Sequence, residues 1–296
     1  MTDRRTFVRT LALATAACAA PRDDKADSAA GATATDTTRA AGSTGDRRLD
    51  RIGIQLYTLR TALEADVDGT LARLKQIGYA EVETAGFHGR TPAQFRQALD
   101  ANGLAAPSAH MPLAEVRDRT AATLDAAKAI GAQYVVLPWL EEKDRQTLDQ
   151  YRAVADVLNR AGEAAKGAGL RMAYHNHDFE FVPIGGTRPI DLLLERTTPD
   201  LVSFELDLYW TVKAGGDPFA FFSRWPGRFP MVHVKDSAGP PEHRMVDVGA
   251  GSIPFGRYFA QREQAGIRHY FVEHDVPKDP FESLKASYGY VKGLNF

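Results

Sequence analysis

The sequence predicts a (β/α)8 TIM barrel, and three observations predict it. Short runs rich in Val, Ile, Leu, Phe and Tyr alternate with segments whose apolar residues recur at helical spacing. Eight such strand–helix pairs fit between Leu49 and the C-terminus. Residues able to do chemistry gather at the C-terminal tips of the runs, the end at which such barrels carry their sites. Strands covered on both faces read as continuous apolar stretches, as these do. An open doubly wound sheet is the rival arrangement. Its nucleotide-binding form needs a glycine-rich loop after the first strand, and none follows here.

Each element has its own signal. "RIGIQLYTL" (51–59) reads as strand one, and "VDGTLARLKQIG" as a helix that stops on Gly78. "AEVETAG" is strand two. "TPAQFRQALDANG" carries Thr91 as a cap and Pro92 in the first turn. "LAAPSAHM" is a weaker strand three, followed by the helix "RTAATLDAAKAIG". "AQYVVLPW" is strand four, "LDQYRAVADVLNRAGEAAKGAG" a long helix, and "LRMAYHNH" strand five. The second half repeats the rhythm. "PIDLLLERT" is a helix, "LVSFELDLYW" strand six, "DPFAFFSRWPG" a helix and "FPMVHVKD" strand seven. "SIPFGRYFAQREQAG" is a helix, "IRHYFVEHD" strand eight, and "DPFESLKASYGYVKGL" the closing helix.

Before the barrel the composition changes. Residues 1–20 have a basic start with Arg4-Arg5, an apolar run and a small-residue exit, the grammar of a twin-arginine-like export signal. The single cysteine, Cys18, follows "TAA" and makes a weak lipidation box. Residues 21–48 hold almost no large apolar side chain and read as a disordered linker. The expected product is an exported, periplasmic domain spanning 49–296, lipid-anchored if Cys18 is modified, and monomeric or homodimeric. The 296 residues carry a formal net charge of -2, which gives no support to a role on nucleic acid.

The strand tips supply the site. Strand two ends near Glu83, strand three at His110, and strand five at His175 and His177. Strand six ends at Glu205 and Asp207, strand seven carries His233, Lys235 and Asp236, and strand eight ends at Glu273, His274 and Asp275. Residues two apart on a strand face the same side, so imidazoles and carboxylates meet near the barrel axis. Such groups repel or stay unsatisfied unless something compensates, and a divalent cation is the simplest compensator. The expected ligands are His175, Asp207, His233 and Glu273. A hydrogen-bonded polar knot without metal is the alternative. Tyr57, Glu83, His110, Glu180, Glu205, Trp210 and Arg244 are candidate substrate-binding residues, Arg244 from a Gly/Pro loop that folds over the site. "DVGAGSIPF" lacks phosphate-loop grammar and reads as a tight turn.

These motifs resemble the xylose isomerase-like barrel superfamily, the sugar phosphate isomerase/epimerase group, over about residues 50–292. The resemblance rests on "GYAEVETAGF", "AYHNHDFEF", "FELDLYW", "PGRFPMVHVKD", "VGAGSIPF" and "FVEHD", in that order. It implies one divalent metal, Mn²⁺ ahead of Zn²⁺, Co²⁺ or Mg²⁺, held from strands five to eight. Asp207, His233 and Glu273 match the family's ligands on strands six, seven and eight. On strand five the family commonly has a glutamate in a Glu-Asn-His run, and here His175-Asn176-His177 stands in its place. Trp210 matches a family histidine that contacts substrate. In the family's ketose epimerases the strand-five and strand-eight glutamates are the two acid/base groups, a scheme that does not carry over directly to His175. These departures place the chain nearer the inosose dehydratase and keto-sugar lyase branches.

The chemistry expected is removal of a proton next to a metal-polarised carbonyl. His175, His177, Glu273 and Lys235 are the candidate acid/base groups. The leading expectation is a sugar or keto-sugar isomerase/epimerase working through an enediolate. The alternatives are a lyase or dehydratase acting on an inosose or 3-keto-glycoside, and a non-catalytic sugar-binding barrel. A nuclease on the same barrel is disfavoured by the near-neutral charge.

Overall fold

A computed structural model describes residues 47–296. The segment read as an export signal, nearly all of that read as a linker, and Cys18 lie outside the described residues. Eight parallel strands close into a barrel: β1 (Gly53–Gln55), β2 (Glu81–Ala85), β3 (Ala105–His110), β4 (Tyr134–Leu137), β5 (Arg171–His175), β6 (Val202–Asp207), β7 (Met231–Val234) and, after a small hairpin, β10 (His269–Val272). Each strand pairs with its chain neighbours, and β1 closes the ring against β10 through Gly53 and Phe271. A Cβ on Gly53 would lie 2.5 Å from the Phe271 ring, so only glycine lets that ring fill the barrel there. The hairpin pairs β8 (Asp236–Ser237) with β9 (Met245–Val246).

Two apolar regions hold this arrangement. Tyr134, Val136, Ala173, Met231 and Phe271 pack inside the barrel. A larger core, including Leu71, Phe95, Leu124, Leu158, Leu193, Phe222 and Leu284, fills the space between strands and helices. Thr91 caps its helix as read, closing a capping box with Gln94, and Thr147 closes a second with Gln150. Among the described residues, no helix is long and apolar enough to cross a membrane.

Four expectations need correction. Strand one stops at Gln55, because the chain turns through a 3-10 segment, Leu56–Leu59, into helix Arg60–Ala65. Strand six stops at Asp207, whose carboxylate accepts the Trp210 N–H and starts helix Leu208–Lys213 without a loop. The helix read over 252–266 is two short ones, Phe255–Phe259 and Arg262–Ala265. The N-terminal end of the barrel also carries a polar group: Glu81 meets His269 Nδ1 at 2.8 Å and Arg51 Nε at 3.1 Å.

Candidate metal centre

The parity of the strands places two polar layers inside the C-terminal mouth. The outer layer comprises His175, Asp207, His233, Lys235 and Glu273, all buried. Asp207 is fixed from two sides. Its N–H donates to Asn176 Oδ1 at 3.0 Å and its Oδ1 caps the following helix, which leaves Oδ2 turned inward. His233 Nδ1 lies 3.7 Å from that Oδ2 and 2.8 Å from Glu273 Oε2. His175 Nε2 lies 3.9 Å from Asp207 Oδ2. Lys235 Nζ approaches Asp207 Oδ2 at 3.2 Å, Glu273 Oε2 at 2.8 Å and Asp275 Oδ1 at 3.1 Å.

These approaches are close, yet they lack hydrogen-bond geometry. His175 Nδ1, Asp207 Oδ2, His233 Nδ1, Glu273 Oε2 and Asp275 Oδ1 are buried atoms without a hydrogen-bond partner. A buried polar atom left so costs on the order of 1–3 kcal/mol, and more for a charged group. Ligand atoms of His175, Asp207 and His233 lie within 4.8 Å of one another, and Glu273 adjoins them. Nitrogen and carboxylate donors converging on one point, with unused lone pairs, fit a divalent cation. The mouth therefore contains a metal-binding site.

The inner layer is built from the same residue types and is hydrogen-bonded almost throughout. Glu83 Oε2 accepts from Gln55 Nε2 at 2.7 Å and meets His233 Nε2 at 2.7 Å and His110 Nε2 at 3.0 Å. Ser108 Oγ donates to Glu83 Oε1. Glu205 Oε2 meets His110 Nε2 at 3.0 Å and His233 Nε2 at 3.1 Å, while its Oε1 has no partner. Glu83, His110, Glu205 and His233 also have metal-ligand spacing. Their bonds to one another, and those of Gln55 and Ser108, leave only Glu205 Oε1 without a partner among their carboxylate oxygens. We assign the inner layer to holding His233, with Nε2 anchored below and Nδ1 presented above.

Electrostatics separate the layers further. Burial pushes the Glu83 carboxyl up, but His110 and His233 outweigh it and hold it well below the usual range. Burial lowers His110, and Glu83 and Glu205 overcome this to raise it to about 9. Asp207 is pushed up to about 6 by burial, against the opposing charges of Lys235 and His233. Burial would neutralise Lys235, but Asp207, Glu273 and Asp275 keep it firmly charged. His175 and His177 are held well below the ordinary imidazole value, first by burial and then by neighbouring cationic groups. Neutral imidazoles are what a metal or a general base requires.

The other predicted residues spread around the rim. His177 lies past the end of β5, its ring 4.8 Å from that of His175 and stacked on Phe179. Glu180 is fully buried beneath that loop, where it accepts from Tyr174 Oη at 2.5 Å and from the His177 N–H at 2.8 Å. Trp210 stands on the helix after β6, 5.5 Å from the His177 ring, with Lys235 Nζ 5.7 Å from its centroid. Tyr57 is exposed on the turn after β1, under the Arg60 guanidinium. Arg244 lies next to β9 and lines a separate cleft of about 590 Å³ with Asp247, His274 and Lys278. Gln55, Ser108 and Asn176 take part and were not foreseen. The signal for Gln55 was an uncharged polar residue inside the apolar run of strand one.

Comparison with known proteins accords with this geometry. Residues 71–296 match the family described as the xylose isomerase-like TIM barrel, and the chain belongs to that family. An inosose dehydratase of Lacticaseibacillus casei is 26% identical over 264 residues, covering 75% of this chain and 88% of that protein. The crystal structure of a sugar phosphate isomerase/epimerase from Parabacteroides distasonis superposes with a TM-score of 0.72 at 27% identity, covering 82% of this chain and 96% of the other. The IOLI protein, solved with a zinc atom, superposes at 0.65 with 14% identity over 83% of this chain and 99% of its own, a likeness of fold alone. Family and site together define a metal-dependent barrel enzyme.

Proposed function

We propose that this enzyme is a lyase that expels water, or another β-leaving group, from a keto-sugar or inosose. One observation carries the reading: His177, its ring 4.8 Å from that of His175, and Lys235, its ammonium 3.2 Å from Asp207 and 2.8 Å from Glu273, flank the same ligand cluster. Elimination uses one base and one acid together. Epimerisation needs two equivalent groups on opposite faces, and the strand-five glutamate that would supply one is His175 here. The similarity to inosose dehydratases over most of both chains supports the same choice.

His175, Asp207, His233 and Glu273 would hold a divalent ion, which would supply polarisation of the substrate carbonyl and so acidify the adjacent C–H. His177 takes that proton. The electron pair left on carbon forms the new C=C bond as the β C–O bond breaks. Lys235 hands its proton to the departing oxygen, which leaves as water. The mixed nitrogen and oxygen shell suits Mn²⁺, Zn²⁺ or Co²⁺ better than Ca²⁺, and the family resemblance puts Mn²⁺ first. The N-terminal signal supports work in the periplasm, which favours free or glycosidic sugars over phosphorylated ones.

A second reading, isomerisation or epimerisation, is favoured by the likeness to the Parabacteroides sugar phosphate isomerase/epimerase. Incubating Mn²⁺-loaded enzyme with an inosose or a 3-keto-glycoside in heavy water separates the two. Elimination gives a conjugated, ultraviolet-absorbing product. Deuterium uptake without elimination would reject the lyase and select the second reading.

A further inference from the structure

Beside the mouth lies a second recess that the reaction above does not use. Trp139, in the loop after β4, is 40% exposed, and its ring stands edge-on to His177 at 4.6 Å and to Phe179 at 5.1 Å. Arg145 follows a short 3-10 turn in the same loop. Its guanidinium lies 3.7 Å from the Phe179 centroid and 4.9 Å from that of Trp139. Among the described residues no carboxylate is in ion-pair contact with it, although its charge reaches the buried Glu180, and its buried Nε has no hydrogen-bond partner. Glu142, Arg145, Tyr151, Phe179, Val182 and Ile184 line an open cleft of about 360 Å³, which Trp139 borders through Phe179 and Arg145, and Val182 is 62% exposed. Phe179, at the edge of the cleft, also stacks on His177, their ring centroids 5.5 Å apart.

Each feature points to a ligand. A guanidinium stacked on aromatic rings is held in a fixed plane, with its N–H fork free for an oxygen acceptor. An exposed indole at the edge of a polar site offers a stacking face. The ring that reacts occupies the metal and His177, so this recess receives whatever that ring carries. From the lyase reading, on which this rests, we infer that the Trp139–Arg145 recess binds the aglycone of a keto-glycoside. That aglycone is a flat, largely apolar ring bearing an acidic or hydroxyl oxygen. The substrate is then a two-part glycoside rather than a free monocyclic inosose.

Two measurements test this on the full, Mn²⁺-loaded protein. The first is calorimetric binding of 4-carboxyphenyl β-glucoside, which has no ketone and cannot react. Wild type should bind it; Arg145→Met, which keeps the apolar stem, and Trp139→Ala should each weaken binding about tenfold or more, which is about 1.4 kcal/mol. Trp139→Phe, which keeps an aromatic edge against His177, should restore most of the loss. The second is kcat/KM for the 3-keto form of that glycoside against a simple inosose, where both variants should lose more on the glycoside. No binding by wild type, or equal losses on the two substrates, would overturn the inference. Binding that depends on both residues, without turnover of either substrate, would reject the lyase reading and leave the recess assigned.

Discussion

The two polar layers of the mouth contain similar residues and behave oppositely. In the inner layer, Glu83 receives Gln55, Ser108, His110 and His233, and its carboxyl sits well below its usual range. In the outer layer, Asp207 Oδ2 and Glu273 Oε2 face His233 and Lys235 at short range without hydrogen bonds. A saturated cluster stabilises what it touches, while one with unused lone pairs leaves coordination to offer. Ligand spacing alone does not distinguish them, since both groups have it. Hydrogen-bond accounting does.

The sharpest way to break this contrast is to remove one outer carboxylate. Asp207→Asn keeps an oxygen for the Trp210 N–H and so keeps the helix cap, but it loses the charge. Metal content by elemental analysis should fall to background. Activity should drop about 10³-fold or more, since the ion supplies several kcal/mol of stabilisation to the developing charge. Circular dichroism should stay native. Full metal occupancy in this variant would refute the assignment of the outer layer.

A smaller effect is expected at His177, which touches the mouth but contributes no ligand in this scheme. His177→Gln should lower kcat about 10²–10⁴-fold with metal content unchanged. Loss of metal would move His177 into the ligand set and displace His175. Smaller again is Glu83→Gln in the inner layer. It leaves His110 and His233 short of one negative charge, so metal affinity should fall about 10–100-fold and the melting temperature should drop. If affinity and stability both held, the inner layer would have no part in presenting His233.

How much of this could be read in advance follows from where each residue sits. Asp207, His233 and Glu273 lie on or next to regular strands, where a period of two fixes the face, and the chain alone was enough to bring them together. His175 was placed by the same rule. The split into layers was not visible, because Glu205 and Asp207 share a face and differ only in depth and partners. Trp139 and Arg145 lie on a loop, where no periodicity reports direction. The end of β6 was misjudged for a physical reason: Asp207 serves as strand tip and helix cap at once, so no turn residue marks the change.

The smallest expected effect concerns a carboxyl that shares burial with Glu83 and nothing else. Glu180 lies under the His177 loop with only neutral donors, the Tyr174 hydroxyl and the His177 N–H, at its oxygens. Burial outweighs these bonds and the charge of nearby Arg145 and raises it to about 7. Since the folded state favours the protonated form, its contribution to stability is complete below the ordinary carboxyl range. It declines as pH rises through about 7 and is lost above that. Glu180→Gln imitates the protonated group, with its carbonyl accepting from His177 and its amide turned to Tyr174. Wild type and variant should therefore melt together near pH 4. By pH 8 the variant should be more stable by up to about 3 kcal/mol, the scale of a carboxyl raised from its ordinary value to about 7. A variant less stable at every pH would mean that the ionised carboxylate itself holds the loop, and the contrast between cation-paired and unpaired buried carboxyls would not extend beyond the metal site.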